Sequence, residues 1–259
     1  MTQHTSPVTC PVCLLPAGNY SMQAGAYRIF KCTGCGLEHT YPVPTLDELS
    51  AFYTGYTDIR AADDVVLRNA GRNIAALAAY GYTPQKSMLD FGTGDASFVT
   101  LAGQQCYGID FKDSGVERVY RQLSDLPVNS FEFITLWGVL EHLNDPMATI
   151  KELTPMLEPG GKMIITTVDA EGPIPYYYKP VEHLTYWTHK AFNTLFEKCG
   201  LKLVEHRPYM MMQKSAIYLD RLLSRTPADY RTAFNPTLAG LPEYVEVPTN
   251  EIFVVAEKA

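Results

Sequence analysis

The chain has 259 residues, 46% of them hydrophobic and 19% charged, enough to bury a full core in one domain of ordinary size with an appendage. Its 21 Lys and Arg stand against 28 Asp and Glu, a formal net charge of -7, which leaves no broad positive surface for phosphate-dominated binding and argues against nucleic acid as a partner. No run of about 18 apolar residues occurs, and the opening MTQHTSPVTCPVC lacks the charged and apolar regions of a secretion signal, so a cytoplasmic protein without a membrane anchor, its cysteines reduced, is expected.

Two C-x-x-C pairs come first, Cys10-Pro-Val-Cys13 and Cys32-Thr-Gly-Cys35, with Gly36 behind the second. The paired spacing predicts a four-thiolate zinc site. A redox C-x-x-C would need a βαβ context that is missing here, and plain buried thiols are the remaining alternative. Tyr27 to Lys31 reads as a short strand leading into the second knuckle, and His39 is surplus to four ligands, so it is taken as an ordinary polar residue. With no position left for water, such a zinc is structural, holding together a segment too small to fold on its own core.

Pro42-Val-Pro44 closes this segment, and Thr45-Leu-Asp-Glu48 reads as a capping box opening a short helix through Phe52 and Tyr53 that ends at Gly55. From Asp64 to Tyr80, Leu67, Ala70, Ile74, Leu77 and Ala78 recur at helical spacing and predict a helix with one buried face. Beyond Pro84, apolar runs at Ser87 to Phe91, Cys106 to Asp110, Phe131 to Trp137 and Met163 to Val168 alternate with helical segments, the pattern of a parallel sheet covered by helices. Asp145-Pro146 fits an N-cap with proline at the first helical position, and Pro155 ends that helix before the turn Glu158-Pro-Gly-Gly161. Phe192, Leu195, Phe196 and Cys199 form a helical stripe between Thr188 as N-cap and Gly200 as C-terminal stop. Leu201 to His206 and Ile252 to Ala256 are further strands, and the wholly apolar last one should be interior.

Between the first strand of the sheet and its helix lies Leu89-Asp90-Phe91-Gly92-Thr93-Gly94-Asp95-Ala96-Ser97, whose glycines let the backbone approach a ligand closely. A dinucleotide loop would want a third glycine at Ser97 and no carboxylate nearby. Asp90 instead suits a ligand with an ammonium or sulfonium charge. Asp110, at the end of the next run, can accept both hydroxyls of a ribose.

Four motifs then resemble, in order, the class I S-adenosylmethionine-dependent methyltransferases: Leu-Asp-Phe-Gly-Thr-Gly (89 to 94), Gly-Ile-Asp-Phe (108 to 111), Leu-Trp-Gly-Val-Leu-Glu-His-Leu-Asn-Asp-Pro (136 to 146) and Leu-Glu-Pro-Gly-Gly (157 to 161). The cysteine pairs, Pro-Val-Pro-Thr and the Tyr53/Tyr56 pair are similar to a subgroup with an N-terminal zinc ribbon, tied to sugar, glycan or natural-product methylation. The resemblance implies an α/β, Rossmann-like methyltransferase sheet with helices on both faces over 83–259, preceded by a zinc ribbon over 1–44 and a helical linker over 45–82. It places Asp90, Gly92 and Gly94 at the methionine end and sulfonium, Asp110 at the ribose, and Phe111 with Trp137 near the adenine and the methyl donor. Ala96 stands where the family usually has its third glycine. The short stretch from Asp110 to Leu123 implies that the next helix is shortened or lost, with Ser124 or Asp125 on the adenine side.

Methyl transfer from a sulfonium is an in-line displacement that asks mainly for positioning, with a base where the acceptor is protonated. His183, beside Glu182 and at the carboxyl edge of the sheet, is a candidate general base oriented by Glu182, or else a hydrogen-bonded residue shaping its loop. The pair Glu141-His142, directly after the fourth strand and before the Asp145 cap, is a second candidate, His142 being expected mainly at a structural or cofactor-edge task. Tyr176, Tyr177 and Tyr178 form an aromatic segment that suits a hydroxylated acceptor, or an exposed loop without a ligand. The expected reaction is methylation, foremost O-methylation with C- and N-methylation left open, of a small hydroxylated metabolite, sugar or glycan unit. An rRNA methyltransferase, a non-catalytic scaffold binding a protein partner, and a cofactor-dependent oxidoreductase are the alternatives, the first opposed by the negative charge.

Overall fold

A computed structural model describes residues 8–54, 64–174, 178–223 and 240–259. The first three strands, β1 (Ala17–Ala24), β2 (Tyr27–Cys32) and β3 (Glu38–Tyr41), form an antiparallel ribbon. Helix α1 (Leu46–Thr54) starts on the anticipated capping box: Glu48 N donates to Thr45 Oγ1 at 3.2 Å, and Thr45 N donates to Glu48 Oε2 at 2.7 Å. Gly55 and Tyr56 lie outside the described residues, as does the predicted stop of this helix.

Helix α2 (Asp64–Ala78) buries Ala70 and Leu77 as predicted, with Ile74 packed against the same core, but turns Leu67 and Ala78 outward. Leu67 is 52% exposed, whereas Asn69 and Asn73 are buried beside Ala70 and Leu77. Their amides are satisfied by β10 (Leu201–Lys214), an edge strand of the large sheet. Asn69 accepts from Met212 N at 2.8 Å and donates to Met212 O at 3.0 Å, and Asn73 Oδ1 accepts from the Tyr209 hydroxyl at 2.9 Å. A stripe judged by apolarity cannot register amides that complete a sheet edge.

The remaining elements in chain order are β4 (Met88–Phe91), α3 (Ser97–Ala102), β5 (Cys106–Ile109), β6 (Val119–Tyr120), β7 (Phe131–Trp137), α4 (Pro146–Leu153), β8 (Leu157–Val168), β9 (Thr185–Tyr186), α5 (His189–Cys199), then β10, α6 (Ser215–Leu223) and β11 (Tyr244–Lys258). The seven-stranded sheet has the order β10-β11-β8-β7-β4-β5-β6, parallel from β8 to β6, with β11 antiparallel to both neighbours. Strand β11 is interior, as its apolar run requires. Alternate residues feed two cores. Met88, Phe133 and Ile164 pack with Leu77, Phe98 and Val99 of α2 and α3, while Leu89, Ile134 and Ile165 pack with Ile150, Phe192 and Leu195 of α4 and α5. Helices therefore cover both faces, the α/β architecture the sequence predicts.

Caps close the helices where expected. Asp145 accepts from Ala148 N at 2.8 Å, Thr188 Oγ1 accepts from Ala191 N at 3.1 Å, and Gly200 ends α5 in the left-handed region at φ 73°. Between β5 and β6 no helix forms. Arg118, just before β6, donates to the carbonyls of Gly103 at 2.6 Å and Cys106 at 2.5 Å. Among the described residues no helix is long and apolar enough to cross a membrane.

Candidate active site

Strand β4 delivers the glycine loop to the carboxyl edge of the sheet. Gly92 lies at φ 80°, and a Cβ there would come within 2.5 Å of Val139 Cγ2, so only glycine lets this loop meet the loop after β7. Gly94, at φ 56°, faces open space. Ala96 adopts φ 59° although it carries a Cβ, taking the backbone shape that a third glycine would hold.

Two carboxylates flank the loop. Asp90 is 2% exposed and accepts from Thr135 Oγ1 at 2.7 Å. Burial, with the charges of Asp110 and Asp95 adding to it, pushes its carboxyl up to about 7. Asp110 is also buried; its Oδ2 accepts from Gly94 N at 2.8 Å and its Oδ1 from Lys112 N at 2.9 Å. This carboxylate thus clamps the glycine loop to the loop after β5, a task the sequence does not reveal. Each oxygen keeps lone-pair capacity for a ligand hydroxyl.

Thr93 Oγ1 and Trp137 Nε1 are buried and have no hydrogen-bond partner among the described residues. Together with the open space before Gly94, these orphaned donors fit a cleft that takes a polar ligand. The Trp137 ring itself sits 5.3 Å from Phe98 and 6.2 Å from Phe253. Phe111 is 69% exposed, with Lys112 Nζ 5.9 Å from its ring centre. Ser124 is exposed on a 3-10 turn, donating to Asp125 Oδ1 at 3.4 Å.

A second cluster lies on the same edge. The 3-10 turn Leu140–His142 follows β7, and the loop before β9 is sewn onto it: Leu184 N donates to Glu141 O at 2.6 Å, and His142 Nδ1 donates to Glu182 O at 2.6 Å. The His142 and His183 rings meet edge-on at 4.9 Å. Glu141 is 3% exposed and accepts from Thr167 Oγ1 at 2.8 Å; burial pushes its carboxyl up to about 7. Burial, followed by the neighbouring His142, pushes the His183 imidazole down to about 4, so it is uncharged at neutral pH, and its Nδ1 is buried without a partner among the described residues. Glu182 Oε1 stands 3.8 Å from His183 Nε2, too far for a hydrogen bond, while Oε2 pairs with Lys179 Nζ at 3.1 Å. His142, Glu182 and His183 therefore converge, and Glu141 joins them.

The tyrosine segment divides. Tyr176 and Tyr177 lie outside the described residues. Tyr178 turns to the ribbon, donating its hydroxyl to Glu38 Oε2 at 2.5 Å and packing 5.0 Å from the Tyr186 ring.

The four N-terminal cysteines converge, with one sulfur from each within 4.8 Å of the others. Cys10 and Cys35 lie 3.6 Å apart and Cys13 and Cys32 3.2 Å apart, as free thiols. Four bonds of about 2.3 Å arranged tetrahedrally bring sulfurs to about 3.8 Å, so this donor set fits zinc. Gly34 N and Cys35 N point at Cys32 Sγ at 3.3 and 3.5 Å, the knuckle geometry expected. His39, read as an ordinary polar residue, is instead buried at 4% exposure with Nε2 lacking a partner among the described residues, and burial pushes its pKa down. It is buried because β3 pairs with β9, Glu38 against Tyr186 and His39 against Thr185.

The methyltransferase domain family matches residues 60–206, a span that includes the glycine loop and the paired Glu-His turns. The chain belongs to the methyltransferase domain family. This methyltransferase-family chain is 27% identical over 180 residues to an uncharacterized 37.1 kDa transposon protein of Streptomyces fradiae, an alignment covering 61% of this chain and 49% of that protein. It is 30% identical over 105 residues to the ubiquinone biosynthesis O-methyltransferase of Pseudomonas putida, covering 32% of this chain and 45% of that one. The chain thus spans about half the length of these two relatives. Its fold is like that of 1,6-didemethyltoxoflavin-N1-methyltransferase of Burkholderia thailandensis, solved with 1,6-didemethyltoxoflavin and S-adenosylhomocysteine: TM-score 0.53 at 18% identity over 93% of this chain and 100% of that one.

Proposed function

We propose that the chain transfers a methyl group from S-adenosylmethionine to a hydroxyl of a small hydroxylated metabolite, sugar or glycan unit. The observation that carries this reading is the glycine loop clamped by Asp110, with Thr93 Oγ1 and Trp137 Nε1 left as orphaned donors, on the same sheet edge as the Glu141, His142, Glu182 and His183 cluster. Family membership supports it, as does the name of the Pseudomonas relative, an O-methyltransferase. The net charge of -7 favours a small acceptor over RNA.

In this reading S-adenosylmethionine supplies the methyl group, whose bond to sulfur breaks with the electron pair left on sulfur as the acceptor oxygen takes the carbon. Asp90 faces the positive end of that ligand, and Asp110 accepts from ribose hydroxyls while holding Gly94 in place. Phe111 offers an exposed ring on the adenine side, and Trp137 a donor nearer the reacting end. His183, uncharged near neutrality, has a lone pair for the acceptor's proton, with Glu182 and His142 fixing its surroundings. The four cysteines hold a structural zinc that keeps the ribbon folded against this site.

Calorimetric titration with S-adenosylmethionine and S-adenosylhomocysteine tests the reading. Saturable binding at one site per chain is the expected result, and the absence of heat with both ligands would overturn it.

A further inference from the structure

We propose that Glu141, His142 and His183 form a second metal site, which takes one divalent first-row ion such as Mn2+, Fe2+, Co2+ or Zn2+. The inference deepens the methyl-transfer reading and rests on it for its purpose, although its geometry stands independently. One ligand atom from each of the three residues lies within 4.8 Å of the other two. An ion about 2.0–2.2 Å from each donor would draw those atoms to roughly 3 Å apart, a closure within reach of side-chain rotation.

The details favour ligation over mere packing. His142 Nδ1 donates to Glu182 O at 2.6 Å, and a carbonyl can only accept, so the tautomer is fixed with its lone pair on Nε2. Anchoring one ring nitrogen to a carbonyl in this way is the arrangement that orients metal-binding histidines. His183 Nδ1 is buried with no partner among the described residues, an unmet polar group that a metal bond would satisfy. Glu141 has Oε2 held by Thr167 Oγ1 at 2.8 Å, the support a ligating carboxylate needs.

Two imidazole nitrogens and one carboxylate oxygen differ in kind from the four thiolates of the ribbon, and they suit ions of intermediate hardness. Three protein ligands leave positions open for an acceptor hydroxyl. In the metal-loaded chain the nitrogen lone pairs bind the ion instead of a proton. Such an ion would acidify a bound acceptor hydroxyl, whose proton would pass to the Glu182 carboxylate as the oxygen takes the methyl carbon and the electron pair of the broken carbon–sulfur bond stays on sulfur.

Mn2+ is the selective probe, because four thiolates holding zinc do not yield to the weakest binder of the divalent series. Protein with its ribbon zinc verified by elemental analysis is titrated with Mn2+ while free Mn2+ is followed by electron paramagnetic resonance; parallel titrations use Co2+ and Zn2+. One additional ion per chain is expected, with affinity lowered at least about tenfold in His183→Ala and in Glu141→Gln. Binding of S-adenosylmethionine, measured on the same samples, reports whether the variants are folded; if Glu141→Gln fails to fold, His183→Ala in the loop carries the test. A chain that takes up only its ribbon metal from all three ions, or variants that bind Mn2+ as tightly as the parent, would overturn the proposal while leaving methyl transfer intact. Uptake of Mn2+ lost in His183→Ala supports the site even if S-adenosylmethionine does not bind, in which case the functional reading alone falls.

Discussion

Thr40 donates its hydroxyl to the main-chain carbonyl of His183 at 3.1 Å, and its amide donates to the carbonyl of Leu184 at 2.9 Å. A strand of the cysteine ribbon thereby sets the loop that carries the candidate base. The link is reinforced at the knuckle itself, where Thr188 Oγ1 donates to Cys35 O at 2.8 Å while capping α5. Thr40→Val keeps the shape and removes the hydroxyl bond, worth about 0.5–1.5 kcal/mol. Turnover should fall by roughly threefold to tenfold with KM for S-adenosylmethionine unchanged, and Thr40→Ser should restore it. Steady-state kinetics on the three proteins decide this, and a change confined to the cofactor KM would contradict the positioning role.

Asp110→Ala removes both the clamp on Gly94 and the proposed ribose acceptor. Charge-assisted hydrogen bonds contribute about 1.5–3 kcal/mol each, so affinity for S-adenosylmethionine should drop at least about tenfold. Calorimetry checks this directly, and an unaltered dissociation constant would refute the assigned contact.

Asp90 should make cofactor binding depend on pH. In the free chain its carboxyl is pushed up to about 7, so the folded protein retains a proton there that the unfolded chain, near the ordinary carboxylate value of about 3.9, has released. The associated stability is fully present below that ordinary value and is lost as pH rises through about 7. A cationic ligand pulls the carboxyl back to its charged form, so binding releases a proton. Affinity should weaken by up to about tenfold per pH unit below 7, and the observed binding heat at pH 7 should vary with the ionisation enthalpy of the buffer. Identical heats in phosphate and Tris buffers would argue against this assignment.

Gly92→Ala should destabilise the fold through two effects that can be separated. A Cβ meets Val139 Cγ2 at 2.5 Å, and φ 80° is strained for any residue with a side chain by about 1–2 kcal/mol. Thermal denaturation of Gly92→Ala, Val139→Ala and the double variant should show a favourable coupling, because trimming Val139 relieves the clash but not the backbone strain. Strict additivity would mean that the contact with Val139 carries no energy.

Much of this protein is written in local chemistry. The capping boxes and N-caps at Thr45, Asp145 and Thr188, the stop at Gly200, the apolar runs of the sheet and the loop Asp90 to Gly94 all depend on residues within a few positions of one another, and so does each C-x-x-C knuckle. That is why the α/β architecture and the interior place of β11 could be read directly. Other features were decided only when distant segments met. Asn69 and Asn73 displaced Leu67 from the buried face because their amides complete a strand edge some 140 positions away. His39 became buried, and Tyr178 turned to Glu38, because β3 adds itself to β9. Glu141 and His142 lie about 40 positions from His183, and the hydrogen bonds from Leu184 N and His142 Nδ1 bring them together. The sequence by itself determined the main strands and helices of the sheet and where its glycine loop falls, since propensity, capping and hydrophobic period act over one or two turns of chain. Only the tertiary structure decided which polar groups share a buried space, because that depends on hydrogen bonds and pairings between segments whose separation along the chain carries no pattern.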